Sequence, residues 1–182
     1  MKLRNIFKGR QDRQDEKEKQ FVYTDEMGEK GDNAAWRLGI LGFNLSRHRA
    51  DRFLLDDFLK ESRIGEVFCS EFGPGKIESI FTYRRDEQDD EHKTIVGHAN
   101  YIKTDAGKCH VIGLSAEALE RGPMYATAIL LHELAHIKVD ESGGNISAHD
   151  DTFKEAVKRV VEQYEAATGR KIPYDVGAEK VG

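Results

Sequence analysis

From Met124 to about Val139 the chain is apolar around almost its whole helical circumference. Tyr125, Ala126, Ala128, Ile129, Leu130, Leu131, Leu134, Ala135 and Ile137 leave no continuous polar stripe. A helix with that pattern has to be covered on most of its faces, so the rest of the fold must pack around it. Gly122-Pro123 marks its start, and Gly143-Gly144-Asn145 ends any continuation. Besides Thr127 and Lys138, three residues break the apolar pattern: His132, Glu133 and His136. Polar groups taken into a protein interior need partners, because an unpaired one costs on the order of 2–7 kcal/mol.

A metal ion is the partner that suits all three. Two histidines four residues apart lie about 40° apart around a helix and one turn apart along it. One Zn²⁺ accepts both imidazoles at about 2.0–2.1 Å. Glu133 is rotated about 100° from His132, so it stands beside the metal without ligating it. There it takes a proton from an activated water and hands it to a leaving amine. The string H-E-x-x-H is short and also occurs by chance on exposed helices. The apolar helix around this copy favours ligation.

A catalytic zinc needs a third protein ligand and an open position. His149 is the candidate chosen here. It follows a glycine-containing loop and precedes the last helix, where Phe153 enters the core four positions on. Asp140, Glu141, Asp150, Asp151 and Glu155 are its rivals, and Glu155 would make a Glu-type site.

The neighbouring patterns predict the layers around that helix. Phe53, Leu54, Leu55, Phe58 and Leu59 recur at helical spacing and predict a helix over about 46–62. Residues 65–114 read as strands: one around Ile77–Tyr83, one over 94–102 and one over 109–114, with Phe68 and Phe72 adding another. Arg84 to Lys93 reads as a charged hairpin loop and Asp105-Ala106-Gly107 as a turn, so the expected sheet is an antiparallel meander. Ser115 is a plausible N-cap. A closing helix over 151–168 buries Phe153, Ala156, Val157, Val160, Val161, Tyr164 and Ala167, and Gly169 stops it. The expected organisation is a charged, flexible arm over 1–32, a domain over 33–169 and a loose tail over 170–182. A 34% charged and 38% hydrophobic composition over 182 residues fits one domain with solvated ends.

Charge and cysteine content narrow the function classes. A net charge of −5 gives no drive toward nucleic acid or anionic lipid. Cys69 and Cys109 form no C-x-x-C pair, which excludes a cysteine-rich zinc ribbon and favours reduced thiols. The basic start is followed by no apolar secretory region, and no apolar run approaches the roughly 18–20 residues of a membrane span. The expectation is a cytoplasmic, soluble protein. His98 and His110 on strands read as satisfied or exposed, and His48 and His92 as solvated. Tyr83, Tyr101 and Tyr125 are possible hydroxyl donors to a substrate carbonyl, with Tyr125 equally suited to the core.

The segment His132-Glu133-Leu134-Ala135-His136, followed by His149-Asp150-Asp151-Thr152-Phe153, resembles the SprT-like zincins and the related WLM-type proteases. Their shared pattern is H-E-L-x-H, a loop, then His-Gly or His-Asp, two residues and an aromatic. The upstream runs Val111-Ile112-Gly113-Leu114-Ser115 and Thr127-Ala128-Ile129-Leu130-Leu131 also fit, so the likeness covers about residues 108–160. It implies an α+β fold, a minimal zincin domain with an N-terminal helix, a small antiparallel sheet, the H-E-x-x-H helix and a closing helix. It also implies hydrolysis of peptide bonds in a protein or peptide substrate that lies extended along a sheet edge. Some family members cleave proteins crosslinked to DNA, but neither a zinc ribbon nor a strongly basic flank is present here. Two other readings use the same residues. One is a non-catalytic zinc-containing module that grips a peptide. The other is a regulatory peptidase of the ImmA/IrrE type, which needs a downstream Glu ligand in place of His149.

Overall fold

The computed structural model describes residues 43–67, 77–104 and 107–178. The arm expected over 1–32, and the strand expected at Phe68 and Phe72, lie outside the described residues. The elements are α1 (Arg49–Ser62), α2 (Ile64–Val67), β1 (Ile77–Tyr83), β2 (Gly97–Thr104), β3 (Gly107–Ser115), α3 (Ala116–Glu120), α4 (Pro123–Glu141) and α5 (Asp151–Thr168). The molecule is α+β, and helices and strands fall close to where periodicity places them.

The central position of α4 follows from its composition. Every residue from Tyr125 to Ile137 is buried. The helix packs against α1, α5, β2 and β3, so it has cover on several sides. Leu55 and Phe58 of α1, Ile112 and Leu114 of β3, and Phe153, Val157, Val160 and Tyr164 of α5 share one core with it. Gly122, at φ 111°, takes a backbone conformation that side chains disfavour, and Pro123 then opens the helix. Ser115 caps α3 as expected, its Oγ accepting from the Ala118 N–H at 3.2 Å. Gly169, at φ 70°, ends α5.

The sheet departs from the expected meander. Its order is β1-β3-β2, with β2 antiparallel to β3 but β1 parallel to it. Residues 84–96 are therefore not a hairpin loop. They reverse the chain while skipping the position that β3 later fills, a step of about 10 Å that thirteen residues span easily. A short 3₁₀ turn over Arg85–Glu87 and an Asp89 carboxylate accepting from the Glu91 and His92 N–H groups give this connection its own structure. Alternation sorts the side chains correctly onto two faces. Ile80, Ile112 and Leu114 face α4, whereas Phe81 and Tyr83 join Phe43 in a smaller cluster. Gly113 makes that cluster possible, since a Cβ there would lie 2.7 Å from the Phe81 ring.

Residues 170–178 lie against the core and not loose, as the tail reading over 170–182 would have them. Ile172 and Tyr174 pack on the core and Val176 is buried within it. The three alternate in sequence with Pro173, Asp175 and Gly177, along a segment that bends at Tyr174 and turns at Val176 and Gly177.

Candidate metal centre

His132 and His136 lie one turn apart on α4, and their Nε2 atoms are 3.1 Å from each other. The loop after α4 then returns the chain to the same point. Gly143, at φ 83°, allows the turn, and the Gly144 N–H donates to the Val139 carbonyl at 2.9 Å. Asp150 caps α5 by accepting from the Phe153 N–H at 3.1 Å. His149, immediately before that cap, places its Nε2 3.2 Å from the Nε2 of His132. The three ligand atoms all lie within 4.8 Å of one another. His132 and His136 are buried and His149 is exposed, so the cluster has its open side at His149.

These distances suit an ion better than they suit hydrogen bonding. Nδ1 of His132 is 2.8 Å from the Val176 carbonyl, which can only accept, so this nitrogen carries the proton. A neutral ring then presents a lone pair at Nε2. Two further imidazoles crowd that lone pair, and one lone pair cannot serve both as donors. Ligands about 2.0–2.1 Å from a tetrahedral ion lie roughly 3.3 Å apart, close to the spacings seen. Burial lowers the pKa of His132, helped by His149 and opposed by the Val176 carbonyl. Burial, then the neighbouring His132 and His149, pushes His136 down to about 3. Both effects keep the rings neutral, the state that ligates. The residues present therefore fit a bound metal ion.

Phe153 holds the three rings apart from the rest of the core. Its centroid is 4.4 Å from that of His136 in a stacked arrangement, 4.6 Å from His149 and 5.0 Å from His132. Glu133 points away from the cluster toward β2. Its carboxylate accepts from the Ala99 backbone N–H, and burial pushes its pKa up to about 8 against that bond. Gly97 leaves the room it occupies, because a Cβ there would come within 2.6 Å of Glu133 Oε1.

The rival ligands are all engaged elsewhere or lie outside the cluster. Asp150 is a helix cap, Asp151 pairs with Lys154, and Glu141 pairs with Lys138. Asp140 is held by Lys108 and His110. Glu155 lines a groove of about 440 Å³ between the end of α4 and α5, with Lys138 and Arg159. Of the remaining histidines, His48 is solvated as expected, but His92 is not: its ring packs 4.5 Å from that of Phe43 and is only 15% exposed. His48 meets Glu87, His92 meets Asp89, and His98 packs beside Phe43. Burial, then the charge of His92, pushes His98 down to about 4. Of the tyrosines, Tyr83 donates to the Ile95 carbonyl, Lys108 sits over the ring of Tyr101, and Tyr125 is in the core, packed edge-on against Tyr174. Two contributors escape sequence reasoning, the Ala99 N–H and the Val176 carbonyl, because a backbone group leaves no side-chain signal. Gly97, a glycine at the start of a strand, is the one hint of a close approach.

Comparisons of the chain with protein-family models, curated proteins and solved structures give no match. Among the described residues no helix is long and apolar enough to cross a membrane.

Proposed function

We propose that this protein is a zinc-dependent metallopeptidase that hydrolyses peptide bonds in protein substrates. The observation that carries the reading is the division of labour on α4. His132 and His136 converge with His149, while the intervening Glu133 stays out of the cluster with its carboxylate buried. A purely structural site has no use for that carboxylate. His132, His136 and His149 would hold the ion, which when bound supplies Lewis acidity toward water and a substrate carbonyl. Glu133 is the base that takes the proton from the attacking water and delivers it to the leaving amine. The resemblance to SprT-like zincins implies the same roles and an extended substrate along a sheet edge. β2 is an outer strand of the sheet order and lies against α4, beside Glu133.

The test is Glu133→Gln. The variant should retain one zinc per chain and lose hydrolysis of a peptide library by about 10²–10⁴-fold. Cleavage at the parent rate would sink the mechanism. Retained zinc with no cleavage by the parent chain would instead favour a zinc-containing peptide-binding module.

A further inference from the structure

Residues 170–178 reach the metal centre from outside the H-E-x-x-H helix, and nothing in that motif calls for them. The segment is anchored at successive points. Arg170 donates to the Glu61 carbonyl at 2.6 Å, and the Ile172 N–H donates to Glu165 Oε1 at 3.2 Å. Lys171 pairs with the other oxygen of Glu165. Tyr174 meets Tyr125 of α4 edge-on at 5.5 Å, and the Arg121 guanidinium covers Tyr125 at 3.6 Å. Asp175 then turns the chain, accepting from the Gly177 N–H at 3.0 Å. Val176 is buried at 4% exposure, and its carbonyl stands 2.8 Å from Nδ1 of His132.

We propose that this C-terminal strap is a positioning element of the metal centre. Its Val176 carbonyl fixes His132 as the Nδ1–H tautomer and aims Nε2 at the ion. The proposal rests on the reading of His132, His136 and His149 as metal ligands. The opposite tautomer would put a proton on Nε2, where an ion must bind. A fixed acceptor on the far nitrogen is the usual device for preventing this. Among the described residues, His132 is the ligand so equipped. Nδ1 of His136 has no partner at hydrogen-bonding geometry, although the Ile146 backbone lies near enough to favour its charged form, and His149 is exposed. His132 is also the ligand whose Nε2 lies within 3.2 Å of both others, so its orientation sets the point of convergence.

Two measurements on the full chain test this. The first needs no metal: the ¹⁵N imidazole spectrum of the metal-free protein, at a pH where the rings are neutral. His132, assigned by its loss in His132→Gln, should be protonated at Nδ1, and protonation at Nε2 overturns the proposal. The second compares two double variants. Tyr174→Ser with Val176→Ser removes the apolar anchors and should weaken zinc binding about 10–100-fold in chelator competition. It should also shift the visible spectrum of the Co²⁺-substituted protein. Tyr174→Phe with Val176→Ile keeps the anchors and should bind as the parent does. A serine pair that binds zinc as tightly as the parent overturns the strap's role alone. A parent chain that binds no zinc overturns the ligand reading, and the strap's role with it. If the serine pair does not fold, the tautomer decides.

Discussion

The first residue of β2 has no side chain, and Glu133 takes up the room that one would need. A Cβ at Gly97 would lie 2.4 Å from Ile129 Cγ2 and 2.6 Å from Glu133 Oε1. Ile129 is β-branched on a packed helix and yields little, so the start of β2 has to shift, which separates the Ala99 N–H from the carboxylate. Gly97→Ala should cost about 1–3 kcal/mol of stability. It should also lower hydrolysis toward the Glu133→Gln level while zinc content stays at one per chain. Metal analysis and a denaturation curve on the same preparation check both parts. Asp140 carries a second prediction. Burial, the largest influence, raises its pKa, but hydrogen bonds and charge from Lys108 and His110 outweigh burial and leave it below the usual carboxylate value. A depressed folded pKa adds stability above the unfolded value of about 4, and that stability disappears as pH falls through the folded value. Asp140→Asn should therefore lose stability at neutral pH and flatten the acid limb below about pH 4, read from melting midpoints across pH. Equal slopes in parent and variant would show that the pair contributes nothing. At this scale the ligands were legible because two histidines inside an apolar run need an explanation. The backbone groups at Ala99 and Val176 were not legible, since every residue has them.

Helices α4 and α5 were readable because each carries its own boundary chemistry, α4 with a nearly unbroken apolar run and α5 with one apolar face. Pro123 opens one, and Asp150 and Gly169 bracket the other. The cap at Asp150 also explains why His149 arrives at the cluster while its acidic neighbour does not. The sheet was readable strand by strand, yet its order was not. Arg84 to Lys93 reads as a hairpin loop, and no local feature announces that β3 will pair with β1 in parallel. Strand order depends on which edge a later segment finds, which is a non-local choice. Phe153 tests how far α5 supports the metal centre. It is fully buried and contacts all three ligand rings. Phe153→Ala should cost about 3–5 kcal/mol by leaving a cavity. The cavity opens directly behind the ligands, so zinc affinity should fall as well. Val160→Ala on the same helix serves as the comparison, because Val160 is equally buried but is in ring contact with none of the histidines. Titrating both variants with zinc separates the effects: a matched loss of affinity would reduce Phe153 to a core residue.

The three histidines come from α4 and from the loop that leads into α5, and residues 170–178 reach one of them through the Val176 carbonyl. An ion there would add a further tie between α4 and the loop that leads into α5. Without it, three imidazoles converge with no common partner. Binding to the folded state alone stabilises it by RT ln(1 + [L]/Kd), about 2.7 kcal/mol at a hundredfold excess over Kd. Zinc at that excess should raise the melting midpoint of the chelator-treated protein. The shift should grow with the logarithm of zinc concentration and not saturate at one equivalent. His149→Ala leaves two ligands on α4, so the response should persist but require more zinc. His132→Ala with His136→Ala removes both helix ligands and should abolish it. The same double variant also removes two buried polar rings, so its metal-free midpoint need not match the parent's; the quantity that decides is the slope against zinc. A parent-like slope in that variant would place the bound ion elsewhere on the molecule, and the convergence of the three histidines would then need another cause.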